Sequence, residues 1–365
     1  MTYRVVCQFA TGRSQARDVM EYVKVQGRAD LVLKDYEVAI NVQTCIFKRK
    51  RISYIIKELM KDYQEDKAEG VGNIGIGVIT HLGSAVRDIN VGSSVVFMIP
   101  ETSKHSGLSD SCIVPRYFCF GFQSSLDKTD VTVTVDALIP AYFALQNKVS
   151  RGDTVLVCDG HTPQGQIIIQ TLHKRGCKIV VYLAQEFEKD MLMPYRNMID
   201  SFFEAWIHRS NSKQLGESLI KESDKLGFSL VLCLQVANPL YADTDGSKDE
   251  NVLHKGTLPL SLAVTSMAAG GHLVLANDKQ IVSKVMCQHM FAKGCSLHYI
   301  NPTANLCSPS KLGSLVHFLI TQIELLGTKE LSPPQPIHKV TLEDAVMVLN
   351  NELDPMNGSY VVDMM

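Results

Sequence analysis

Between Val155 and Gln166 the chain reads Val-Leu-Val-Cys-Asp-Gly-His-Thr-Pro-Gln-Gly-Gln. An apolar run breaks at a glycine-bearing turn and leads into a segment with helical character. A turn of this kind lets a pyrophosphate come close to the backbone and rest on the unpaired N–H groups at the start of the helix. The spacing here is Gly160-x-Thr162-x-x-Gly165, so a threonine stands where the middle glycine of the usual pattern would be. Thr162 and Pro163 add bulk where the phosphates would approach, and Pro163 removes one N–H donor. His161 lies inside the turn, where it can donate to a phosphate or simply be solvated. About 20 residues past the first glycine, enzymes that hold an unphosphorylated ribose present an Asp or Glu. This chain has Leu183-Ala184-Gln185 there, with Glu186 and Glu188 further on, at the start of the next helix. The missing acid favours a 2′-phosphorylated dinucleotide, NADPH. Gln185 lies at the ribose position, and Lys189 either meets the extra phosphate or is an exposed helix lysine. The candidate cofactor-binding residues are therefore Gly160, His161, Thr162, Gly165, Gln185 and Lys189.

These residues need a strand before the turn and a helix after it. Residues 154–158 read as a buried strand, 165–174 as a helix with apolar Ile167, Ile168, Ile169 and Leu172, and 178–183 as a second strand. That is one βαβ unit, which implies a parallel sheet with a right-handed crossover. Further buried strands at 229–234, 271–275 and 296–300 fit a doubly wound sheet. The N-terminal third differs and reads as β-rich. Val32-Leu33 and 36–42 suggest strands, 52–63 a basic helix, and 70–79 a strand interrupted by glycines, which mark bulges or close backbone approach. Residues 91–100 read as a turn into a buried strand, 140–145 and 310–326 as helices, and Thr341 to Asp344 as a capping box with Asp in place of Glu. Residues 238–256 are polar and read as a solvated loop.

The chain has 365 residues, 45% hydrophobic and 20% charged, with a formal net charge of -2. That length predicts two domains. The charge gives no global reason to expect nucleic acid or an anionic membrane as partner. The basic run Lys48-Arg49-Lys50-Arg51 reads as a solvated helix end. The first residues show no leader pattern, and no apolar run reaches the length of a spanning helix. Ten cysteines are scattered without a Cys-x-x-Cys, several inside apolar runs, which fits reduced thiols packed as small hydrophobes. The expected compartment is the cytoplasm.

The order of segments resembles the medium-chain dehydrogenase/reductase superfamily across nearly the whole chain. Gly75-Ile76-Gly77-Val78-Ile79 is similar to its glycine-rich strand, and Val91-Gly92-Ser93-Ser94-Val95 to its Gly-Asp-Arg-Val turn. Ala268 to Val274 resembles its Pro-Gly-Gly strand entry, and Gly358-Ser359-Tyr360-Val361-Val362 its C-terminal ending. The resemblance implies an α/β chain of two parts. A GroES-like β-rich domain spans 1–135 and is completed by 304–365; a Rossmann doubly wound parallel-sheet domain spans 136–303.

Within the superfamily the resemblance is to the zinc-free quinone oxidoreductase branch. Cys45 stands where zinc-dependent members place a ligand, but no Gly-His-Glu follows, so no metal site is expected. Tyr63 lies where related reductases carry a cleft tyrosine, although its flanks differ, and it is the one candidate proton donor. Elsewhere Ile74 replaces a glutamate, Pro140 a threonine that faces the nicotinamide, Ser229 an aspartate, and Ala237-Asn238 a glycine pair. Two functions remain open. One is NADPH-dependent, zinc-independent reduction of a quinone or conjugated carbonyl held between the domains. The other is a non-catalytic relative that serves interaction or nucleotide sensing. Relatives pair through the edge strand of the nucleotide domain, so a homodimer through 296–300 is expected.

Overall fold

The computed structural model describes residues 2–9, 18–25, 32–47, 69–70, 72–100, 107–208, 212–234, 258–276, 282–302, 306, 309–349 and 358–364. The chain divides into two compact units, Met1–Asp136 with Thr303–Met365, and Ala137–Pro302.

The first unit opens with β1 (Thr2–Phe9), β2 (Asp18–Val25), β3 (Glu37–Phe47), β4 (Glu69–Gly70), β5 (Ile74–Leu82), β6 (Ser94–Met98), β7 (Ser111–Pro115) and β8 (Cys119–Gly121). Strand β1 pairs antiparallel with β2 and β4 as a small sheet. Strand β3 is the hub of a larger one and pairs antiparallel with β5 and β7. The glycines of β5 have a steric cause. A Cβ on Gly75 would stand 2.6 Å from the ring of Phe97, and one on Gly77 would stand 2.5 Å from Ile40 Cγ2. Contacts that short cannot be relaxed cheaply in a packed core. Val32 and Leu33, expected in a strand, lie outside any ladder, and Val32 is 86% exposed. Pairing begins only at Glu37, opposite Pro115. Helix α1 (Lys128–Leu145) carries Pro140 in its interior, where a proline removes one helical hydrogen bond.

The second unit is built on β9 (Thr154–Cys158), β10 (Lys178–Leu183), β11 (Ser201–Glu204), β12 (Phe228–Cys233), β13 (Met267–Leu275) and β14 (Ser296–Tyr299). All pair in parallel, in the order β11-β10-β9-β12-β13-β14. Counted from β9, that is the 3-2-1-4-5-6 order of the Rossmann fold, with the strand order reversing between β9 and β12. The helices between them are α2 (Pro163–Lys174), α3 (Glu186–Leu192), α4 (Ser212–Lys221), α5 (Leu260–Ser266) and α6 (Lys284–Lys293). The strands read as continuous apolar runs because both sheet faces are covered. Leu156, Val180, Val231 and Leu273 join one core with Leu215 and Leu219 of α4 and Ala263 and Val264 of α5. The intervening Val155, Val157, Ile179, Val181, Leu230 and Leu232 are equally buried.

The chain then returns to the first unit through α7 (Pro309–Gly327), β15 (Ile337–Val340), α8 (Leu342–Leu349) and β16 (Ser359–Asp363). Strand β16 pairs antiparallel with β3, which extends the larger sheet to the order β15-β16-β3-β5-β6-β8. The predicted capping box forms at the start of α8. The Asp344 N–H donates to Thr341 Oγ1 at 3.1 Å, and the Thr341 N–H reaches Asp344 Oδ2 at 3.4 Å. Among the described residues no helix is long and apolar enough to cross a membrane.

Candidate functional site

In an open parallel sheet, ligands bind outside the carboxyl ends of the strands, where the strand order reverses. Here that place is the end of β9, and the chain turns there through Asp159, Gly160, His161 and Thr162 into α2. Asp159 takes a left-handed backbone, with φ 61°, which Asp tolerates better than most residues. Gly165 is required by contact, because a Cβ there would lie 2.5 Å from Asp159 O and 2.6 Å from Gly160 Cα. The glycine lets the first turn of α2 lie directly on the strand end.

Thr162 is the N-cap of α2 and binds in two directions. Its hydroxyl donates to Asp159 O at 2.8 Å, and its Oγ1 accepts the Gly165 N–H at 3.2 Å. Pro163 occupies the first helical position, where its missing N–H costs nothing to the helix. The threonine thus satisfies one orphan donor of the helix start, and the proline removes another. Among the described residues the backbone N–H groups of His161 and Gln164 engage no partner. Both sit in the turn, so the residues present fit a phosphate, with fewer donors than an all-glycine turn would offer. A clasp behind the turn holds its shape. Gln166 Nε2 donates to His161 O at 2.9 Å, and the Tyr195 hydroxyl donates to Gln166 Oε1 at 2.8 Å. Burial pushes the Tyr195 hydroxyl up to about 12, so it stays a donor.

Of the buried ionisable groups at this turn, the sequence reading singled out His161 but gave no role to Asp159 or Glu188. Asp159, His161 and Glu188 are all buried. His161 is 5% exposed, and its Nδ1 has no hydrogen-bond partner. Glu188 Oε1 lies 3.8 Å from that nitrogen, and Glu188 Oε2 accepts the Ala184 N–H at 2.8 Å. Desolvation lowers His161 to about 4, which makes it neutral at ordinary pH. Desolvation, opposed by the backbone donors and reinforced by Asp159, raises Glu188 to about 7. The signal in the sequence was the spacing. Glu188 is the third residue of α3, and a helix start lets that residue fold back onto the end of β10.

Gln185 caps α3 without a side-chain hydrogen bond. Lys189 points to β11, where its Nζ lies 2.5 Å from Glu204 Oε1. The turn therefore brings together Gly160, His161, Thr162 and Gly165, with Gln185 at the adjacent strand end and Lys189 in an ion pair beyond it. Tyr63 and the basic run 48–51 lie outside the described residues. Cys45 is fully buried, and burial raises its thiol well above the ordinary range. No group of three or more metal-ligating side chains occurs among the described residues.

Several known proteins share this architecture, although no family model matches the chain. Quinone oxidoreductase-like protein 1 of Mus musculus is 24% identical over 330 residues, which cover 88% of this chain and 90% of that protein. The crystal structure of CurK enoyl reductase covers 99% of both chains at 16% identity and a TM-score of 0.72. The structure of a putative NADPH:quinone reductase from Bacillus thuringiensis covers all of both chains at 12% identity and a TM-score of 0.70.

This is the medium-chain dehydrogenase/reductase fold. The resemblance read from the motifs is borne out across the length of the chain. Measured against that fold's usual motifs, Ile74 is a buried residue of β5 and Ser229 a half-buried residue of β12. Neither carries the carboxylate usual there.

Proposed function

We propose that the chain is a zinc-independent, NADPH-dependent reductase of quinones or related conjugated carbonyls. The observation that carries this reading is the strand–turn–helix at the reversal point of a 3-2-1-4-5-6 sheet, with Gly165 packed on the turn and two N–H donors left open. The likeness to a quinone oxidoreductase-like protein, an enoyl reductase and a putative NADPH:quinone reductase supports the cofactor and the acceptor class.

In this reading the His161 and Gln164 N–H groups hold a phosphate, aided by the positive end of the α2 dipole. Thr162 and the Gln166–Tyr195 clasp keep the turn in shape without motion on binding. Gln185 lies beside the ribose, and Lys189 turns from Glu204 to the 2′-phosphate. When bound, the nicotinamide supplies a hydride, and a quinone or enone accepts it directly. Solvent can supply the proton, so a dedicated acid is not needed; Tyr63 is the candidate for that role. Titration with NADPH and NADH, followed by ligand fluorescence and thermal shift, tests the reading. Micromolar NADPH binding with turnover of a quinone or enone is expected, and no binding of either nucleotide at millimolar concentration overturns it.

One observation favours a second reading, a non-catalytic relative. Thr162 already takes the Gly165 N–H that a phosphate could use, which stabilises the empty turn. Nucleotide binding without turnover of any quinone or enone would select it.

A further inference from the structure

The phosphate turn lies directly above a buried carboxyl–imidazole pair that the proposed reaction does not use. Glu188 is 3% exposed and faces His161 of the turn across 3.8 Å. Asp159, also buried, belongs to the same turn. Groups from several elements face Glu188. From the turn come Asp159 and His161; from β9 comes the thiol of Cys158; from the end of β10 come the Ala184 and Gln185 N–H donors. On its own helix Lys189 is tied to Glu204. Two carboxyls thus lie by the place where a dinucleotide would bring its phosphates, and His161 Nδ1, which has no hydrogen-bond partner, faces one of them.

From this we infer that a phosphate-bearing ligand binds at the turn together with one proton, which is held between Glu188 and His161. The inference rests on the reading of the turn as a nucleotide site. An ionised Glu188 repels the incoming phosphate through a medium of low dielectric, where charges interact far more strongly than in water. Protonation removes that repulsion. It also lets the carboxyl donate a hydrogen bond to His161 Nδ1 after a small shift, which gives that buried nitrogen a partner. Since burial and Asp159 already hold Glu188 near 7, the proton is taken up in the neutral range. By linkage, affinity rises as pH falls, by at most ten-fold per pH unit, and levels off once Glu188 is protonated in the free protein. The 2′-phosphate of NADPH also titrates near pH 6, but it loses charge as pH falls and so opposes the trend.

The test is titration of the full chain with NADPH from pH 6.0 to 8.5. Calorimetry at pH 7.5 in two buffers of different ionisation enthalpy counts the protons taken up. The expected result is binding that weakens several-fold per pH unit above neutrality, with a fraction of a proton absorbed on binding. Glu188→Gln should flatten the profile and abolish that uptake. NADPH binding that is independent of pH, with no proton absorbed by the wild-type chain, overturns the inference while leaving the nucleotide site standing. No binding at any pH overturns both. The proton count needs only the wild-type protein, so a variant that fails to fold does not rescue the idea.

Discussion

At the residue scale, Thr162 and Gly165 set what the turn can do. Thr162→Gly exposes the Gly165 N–H and restores the missing glycine. Replacing a threonine cap by glycine costs only a few tenths of a kcal/mol, so the variant should fold normally and bind NADPH several-fold tighter in a fluorescence titration. Gly165→Ala forces a methyl into the backbone of Asp159 and Gly160. A loss of about 1–3 kcal/mol in urea unfolding is expected. Gly313→Ala is its control, because a Cβ on that exposed residue of α7 meets nothing within 4 Å. It should gain about 0.5–1 kcal/mol, the helix preference of alanine over glycine.

Glu188 acts on stability as well. Its folded value of about 7 lies above the ordinary 4.5, so between those values the folded chain holds a proton that the unfolded chain has lost. Stability therefore falls as pH climbs through that window and stays lowered above it. Glu188→Gln removes this slope and should gain up to about 3 kcal/mol over the wild type at pH 8, with the gain vanishing towards pH 4.5. His161 has the opposite sign. Its folded value of about 4 lies below 6.5, so its contribution is lost as pH falls from 6.5 to 4. Equal responses of wild type and Glu188→Gln to pH between 5 and 8 would refute the assignment.

At the scale of elements, helix ends are specified by local chemistry. Helix α6 begins at Ser283, whose Oγ accepts the Met286 N–H at 3.3 Å, and ends at Gly294, whose φ of 64° suits glycine. Its apolar contribution to the core is small, with Met290 its one buried residue. The cap therefore matters more than usual. Ser283→Ala should cost about 1 kcal/mol in urea unfolding, and amide exchange should rise first in 284–287. Helix α8 follows the same logic through Thr341 and Asp344. The α8 start was legible in the sequence because a cap involves residues only three apart.

At the scale of the whole molecule, β14 ends its sheet with one side unpaired among the described residues. Tyr299 on that strand is 55% exposed, and Phe291 on α6 is 90% exposed. A strand edge flanked by exposed aromatics is a template for pairing with another chain. We propose a homodimer through this edge. Light scattering at micromolar concentration should give twice the chain mass, and Tyr299→Lys should shift the balance towards the monomer. A wild-type monomer under those conditions would sink the proposal.

The sequence by itself determined five of the six strands of the second unit and the place of its turn, and left β11 (Ser201–Glu204) unread. Buried parallel strands are apolar throughout, and glycine at 160 and 165 marks where a helix begins, so both are written in consecutive residues. It also gave the resemblance on which the fold could be expected. It did not reveal that β3 is the hub of the larger sheet, because β5, β7 and β16 come from three distant stretches. Nor did it place Glu188. Counting along the strand put Gln185 at the ribose position and left the acids to the next helix. Only the fold carries Glu188 back to Ala184 and His161, since a helix start reverses the direction of its third side chain. Burial there, which no spacing records, decides which of these groups carries charge.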